Sequence, residues 1–183
     1  DKRVLDDLRE ALDPGLLETL EANAGPLASG TADLELMAHV IGRSSHLKGL
    51  IVSSDPQERG IRAILNYGHT IGHAIEQSTG YSTYMHGEAV AIGMMGAARI
   101  SVEMGLLDPT VVDRQSDLLR SFGLPLVAPG MDVRAVLEAM QRDKKVEQGR
   151  MRFVLLEGVG RTTVRDDVPS DLVQRTVQSL ARG

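Results

Sequence analysis

The segment HGEAVAIGMMGAARISVEMG, residues 86–105, reads as a helix that is strongly apolar yet poor in bulk. Gly87, Ala89, Ala91, Gly93, Gly96, Ala97 and Ala98 all fall within it. A helix surface this smooth lets a neighbouring helix approach closely, because little side chain holds the two backbones apart. The preceding segment, LNYGHTIGHAIE at 65–76, carries a matching signal in Gly68 and Gly72, four residues apart. Glycine costs about 1 kcal/mol per helical position relative to alanine, so two within one turn point to another backbone, or a ligand, lying against them. Aromatic residues make up only 3% of the chain and tryptophan is absent, so the core is expected from Leu, Ile, Val, Ala and Met.

Around this pair the rest of the 183 residues punctuates itself as further helices. Val4, Leu5, Leu8 and Leu12 have helical spacing in the first. Asp13 and Pro14 form a cap followed by a proline at the first helical position. Thr31 is the expected cap of a long helix running to about Val52, and SSDPQERG is a loop by its composition. A histidine-bearing helix is predicted from about Ile61 to Gln77 with Gly80 at its exit. Asp108–Pro109 opens another helix that Gly123 closes, Asp132 caps one through about Arg142, and Ser170 caps the last. MRFVLLEGVGRTTVRD changes period and predicts a β-hairpin near 151–165. The expected fold is mainly α: a bundle of about seven or eight helices with one short β-hairpin, forming a single helical domain over 1–183.

Composition narrows the function. A formal charge of −5 argues against nucleic-acid and membrane-surface binding, which favour a basic face. The chain has no cysteine, which excludes disulfides and thiolate metal sites and agrees with a cytoplasmic location. No apolar run approaches the length of a transmembrane helix.

Five histidines are present, and three stand close together in the sequence. His69 and His73 are four apart, hence on one face of a helix, and His86 opens the next helix after a short polar break. Folding the two helices back on each other would bring His86 over His69, offering two imidazoles to one divalent metal. Histidines at this spacing also occur on packed helices that bind nothing. A zincin is excluded, since position 70 is Thr where H-E-x-x-H requires Glu. Glu76 and Glu88 are nearby carboxylates to which spacing assigns no role. Arg62, Asn66, His69 and His73 follow one another at intervals of four, three and four. That predicts one continuous helical stripe of cation, amide and imidazoles, suited to gripping an anion beside a metal. The basic cluster RDKKVEQGR at 142–150 is either a further anion contact or a solvated helix end.

These blocks together, DPQERGIRAILNYGHTIGHAIE, YMHGEAVAIGMM, MQRDKK and MRFVLLEGVG, resemble the C-terminal domain of 3-dehydroquinate synthase, a sugar phosphate cyclase. The resemblance implies an NAD- and metal-dependent lyase of the shikimate pathway, with zinc or another divalent ion such as cobalt. Its substrate would be a seven-carbon sugar acid phosphate, and the chain would form a homodimer. It further implies that His69 and His86 are metal ligands, and that Glu58 and His73 take acid–base or proton-relay roles. Lys48, Arg62 and Asn66 would contact substrate, as would one of Lys144 and Lys145. The family's NAD-binding N-terminal domain is not found in this sequence. DKRVLDDLRE lacks the Ala-Glu-x-x-Lys motif from which a third metal ligand would come, so an incomplete metal site and an inactive isolated chain are expected. Two other readings stay open: a domain of a 2-deoxy-scyllo-inosose or valiolone-type cyclase, and a non-catalytic helical scaffold. An alcohol dehydrogenase fits HGEAVAIGM and DKK less well.

Overall fold

The computed structural model describes residues 14–57, 60–146 and 151–182. In chain order these residues form α1 (Pro14–Ala22), α2 (Ala24–Ser29), α3 (Leu34–Ser54), a 3-10 helix (Ile61–Asn66), α4 (His69–Ser78), α5 (His86–Glu103), α6 (Pro109–Ser121) and α7 (Val133–Val146). The hairpin strands β1 (Phe153–Gly158) and β2 (Arg161–Arg165) follow, and then α8 (Ser170–Arg182). The mainly helical bundle with one hairpin agrees with the expectation. Asp13 and the first predicted helix lie outside the described residues.

The organising contact is α4 against α5. Gly72 lies beside the backbone of Ala89 and Val90, and Gly68 beside Met94, so the two helices run antiparallel. An ideal Cβ on Gly93 would sit 2.0 Å from the Gly68 carbonyl oxygen and 2.8 Å from the Gly72 nitrogen. This is the close backbone approach that the glycines and small residues implied.

Helix α5 is the central element: α6, α8 and β1 pack on it, while α7 packs on α4. Ile71, Ile75, Ile92, Ile100, Phe153 and Leu155 form the middle of the core, joined by Val177 and Leu180 from α8. The buried Ser101 hydroxyl donates to the Ala97 carbonyl (2.8 Å) and accepts from the Leu156 amide (3.0 Å). That one side chain therefore ties the hairpin to α5. Phe153 pairs with Arg165 and Leu156 with Thr162 in the antiparallel ladder.

Most boundary signals are used as expected. Asp108 accepts from the Thr110 amide (2.9 Å) with Pro109 at the first helical position, and Asp132 accepts from the Ala135 amide (3.1 Å). Two caps differ. Asp33 rather than Thr31 caps α3, because its carboxylate reaches the Leu36 amide at 2.8 Å, while the Thr31 hydroxyl pairs with Ser29. Ser170 is the first residue of α8 rather than its cap, since the Pro169 carbonyl already takes the Val173 amide.

The larger correction concerns the segment predicted to be helical from Ile61 to Gln77. Residues 61–66 form a 3-10 helix, Tyr67 is extended at φ −57° and ψ 125°, and Gly68 turns left-handed at φ 81° before α4 begins. The Gly68 carbonyl still accepts the first bond of α4, from the Gly72 amide at 3.0 Å, so the break changes the direction from which the chain enters α4 and not the place of that carbonyl. Arg62, Asn66, His69 and His73 therefore do not form one helical stripe.

Candidate metal centre

Helix α4 presents His69, His73 and Glu76 at successive intervals of four and three, which places them along one face. His86, the first residue of α5, closes over that face. The ring centroids of His69 and His73 are 5.1 Å apart, those of His69 and His86 5.4 Å, and those of His73 and His86 5.8 Å. One ligating nitrogen from each ring lies within 4.8 Å of the others. A cavity of about 340 Å³ opens beside His73 and His86, lined also by Glu76, Gln77, Tyr81 and Ala139, and His69 is not among its described lining residues.

Both ring nitrogens of His69 and His86 are accounted for once a metal is considered. The Nδ1 of His69 lies 3.2 Å from the Tyr67 carbonyl oxygen, and the Nδ1 of His86 lies 3.1 and 3.2 Å from the two Glu76 carboxylate oxygens. Each acceptor calls for a proton on Nδ1, leaving the lone pair on Nε2. His73 has no ring hydrogen bond to a described residue, and it is exposed. Three neutral imidazoles suit zinc or cobalt. Tetrahedral zinc at about 2.0–2.1 Å from nitrogen spaces its donors about 3.4 Å apart, against nitrogens that here lie within 4.8 Å of one another.

Burial pushes the His69 imidazolium below its ordinary value of 6.5; the Tyr67 carbonyl opposes this, the neighbouring His73 and His86 reinforce it, and Glu76 opposes it more weakly. A lowered folded value means that the unfolded chain takes up the proton first. The stability of the metal-free chain linked to His69 is then complete above about pH 6.5 and is lost as pH falls through the folded value. Proton NMR of the metal-free chain should show the His69 ring titrating below the ordinary range. A midpoint at or above that range would remove this account.

The other sequence-predicted residues are placed less closely. Lys48 is exposed on α3. Arg62, in the 3-10 helix, donates from its guanidinium to the Pro56 carbonyl (3.3 Å), while its amide and that of Gly60 donate to the Asp55 carboxylate. Asn66 ends that 3-10 helix and is exposed. Lys48, Arg62 and Asn66 are not among the described residues lining the cavity. Glu58 and the side chains of Lys144 and Lys145 lie outside the described residues. Glu88 accepts from the Met85 amide (2.8 Å) and so caps α5.

Spacing did not assign Glu76 or Tyr67 to the site. A carboxylate three residues after His73, on the same helix face, was the available sign of the first. Tyr67 works through its backbone, and its buried hydroxyl donates to Gln115 (2.8 Å) and Met94 (3.1 Å) carbonyl oxygens, a feature that no motif marks.

The helical bundle has the fold of a domain found in solved sugar phosphate cyclases. A 2-epi-5-epi-valiolone synthase from Streptomyces hygroscopicus, solved with NAD+ and Zn2+, superposes with a TM-score of 0.81 over 98% of this chain and 51% of that one, at 22% identity. That likeness is one of fold. A 2-deoxy-scyllo-inosose synthase, complexed with carbaglucose-6-phosphate, NAD+ and Co2+, has a TM-score of 0.66 and 28% identity over 79% of this chain and 42% of that one.

Residues 10–146 match the model of the 3-dehydroquinate synthase C-terminal family, and the chain belongs to that family. The 3-dehydroquinate synthase of Nostoc punctiforme is 48% identical over 147 residues, covering 80% of this chain and 40% of the relative. That of a Synechococcus strain is 44% identical over 170 residues, covering 92% and 46%. The chain thus spans less than half the length of the curated relatives it matches. No helix among the described residues is long and apolar enough to cross a membrane.

Proposed function

We propose that this chain is the metal- and substrate-bearing part of a 3-dehydroquinate synthase, which converts 3-deoxy-D-arabino-heptulosonate 7-phosphate to 3-dehydroquinate and phosphate. The observation that carries the reading is the convergence of His69, His73 and His86, from two separate sequence blocks, within 4.8 Å. Identity supports this substrate over those of other cyclases: 44–48% to the two dehydroquinate synthases against 22–28% to the two solved cyclases.

In this reading His69 and His86 hold a divalent metal through Nε2. A divalent ion held there would supply Lewis-acid polarisation of the substrate alcohol, and NAD bound elsewhere in the parent enzyme would supply the hydride acceptor. The described strands form an antiparallel hairpin only, so NAD is assigned to another part of the parent enzyme. His73, with no Nδ1 tether to a described residue, is free to turn and moves protons beside the metal together with Glu58. Lys48, Arg62, Asn66 and one of Lys144 and Lys145 offset the phosphate and carboxylate charges of the substrate. A homodimer and a cytoplasmic location belong to the same reading. Leu34, Met37 and Ile41 are exposed along one face of α3, an apolar stripe that a second copy would cover.

The test joins this chain to the amino-terminal half of the Nostoc punctiforme relative and follows phosphate release. Release from the heptulosonate phosphate, lost with His86→Ala, is the expected result. Release instead from a hexose phosphate, or from a seven-carbon ketose phosphate that lacks the carboxylate, would assign the chain to another cyclase. A folded fusion silent on all three substrates would favour the helical scaffold.

A further inference from the structure

We propose that Glu76 is a positioning residue for the metal centre: its buried carboxylate accepts the Nδ1 proton of His86, sets the ring's tautomer and orientation, and leaves Nε2 for the ion. This rests on the metal reading above and extends it to a residue with no direct part in ligation.

The two partners differ in how firmly they are held. The Glu76 side chain is 10% exposed and the His86 side chain 59% exposed. Glu76 sits in α4 next to the fully buried Ile75, whereas His86 begins α5 at the end of a turn-rich stretch, 79–85, in which Tyr81 takes a positive φ of 58°. Packing therefore fixes the carboxylate but does not fix the imidazole. A carboxylate is seldom buried without a compensating partner, because desolvating its charge costs several kcal/mol. Among the described residues the only side-chain partner of Glu76 is the His86 ring, at 3.1 and 3.2 Å.

The other nearby carboxylate, Glu88, is turned to the Met85 amide and is not available for this role. His69 shows the same device in backbone form, with its Nδ1 on the Tyr67 carbonyl. The two histidines assigned to the metal are thus the two with a tethered Nδ1. Orienting partners of this kind fix a ligand ring before the ion arrives and raise its basicity.

The experiment uses the full 183-residue chain, freed of metal, as wild type, Glu76→Gln, Glu76→Ala and the His69→Ala, His86→Ala double variant. Zinc alone is titrated by calorimetry, and long-range proton–nitrogen NMR reports the His86 tautomer without metal. Circular dichroism checks the fold, and the isosteric Gln variant keeps the test alive should alanine unfold the helix. Wild type should hold His86 as the Nδ1–H tautomer. Glu76→Ala should lose that preference and bind zinc about 10- to 100-fold more weakly, while Glu76→Gln, whose amide oxygen can still accept, keeps the tautomer with a smaller loss. An unchanged tautomer and zinc affinity in Glu76→Ala, with the double variant not binding, overturns the proposal alone. Equal zinc binding by wild type and the double variant overturns the metal reading and the proposal with it.

Discussion

Gly93→Ala is expected to destabilise the chain by about 3 kcal/mol or more, at or beyond the upper end of ordinary overpacking. The new methyl carbon would stand 2.0 Å from the Gly68 carbonyl oxygen and 2.8 Å from the Gly72 nitrogen. Both are backbone atoms, so no rotamer change relieves the contact, and α4 must move bodily away from α5. That movement also separates His69 and His73 from His86, so zinc binding should fall together with stability. Gly87→Ala, on the same helix, is the matched control. Nothing lies within 4 Å of its added carbon, and the change should be neutral to stabilising by up to about 1 kcal/mol, the helix-propensity gain. Urea midpoints of the two variants decide the matter. A Gly93→Ala midpoint equal to wild type would show that the α4–α5 approach is looser than described.

The second large effect is expected from the His69→Ala, His86→Ala double variant, whose saturable zinc binding should disappear. Removing an outer partner of a metal ligand typically costs about 10- to 100-fold, and removing two ligands should exceed the upper figure. His73 would be left as the one histidine of the cluster, and a single imidazole does not hold zinc against water. Neither ring belongs to the hydrophobic core, and His69 and His86 are half-buried and exposed respectively. The thermal melt of the metal-free double variant should therefore stay close to wild type, which separates lost ligation from lost folding. Zinc bound with wild-type affinity by this variant would mean that the convergence of the three rings is a consequence of packing alone.

Local chemistry made much of the architecture legible. Asp108–Pro109 and Asp132 announce helix starts because a short carboxylate satisfies free amides wherever it is placed before a helix. Gly105 and Gly123 mark exits because left-handed φ, 70° and 71° here, is inexpensive only for glycine. The hairpin showed itself as a change of period. The gap between helices α4 and α5 could be read from Gly68, Gly72 and the alanine- and glycine-rich α5, since small residues serve little purpose in a core unless something approaches them.

What the sequence determined by itself was thus most of the helices from α3 onward, the close pairing of α4 with α5, and the meeting of His69 with His86. The break at Tyr67–Gly68 was decided by tertiary structure. Spacing of four, three and four reads through a glycine as easily as through any residue, whereas the close packing of Gly68 on Val90 and Met94 is a contact with another helix. The same holds for Glu76 and Glu88. Both are carboxylates near a histidine in sequence, yet one accepts from the His86 ring and the other from a backbone amide. Which acceptor each finds depends on how the turn at 79–85 sets α5 against α4, a three-dimensional fact that periodicity along one helix does not contain.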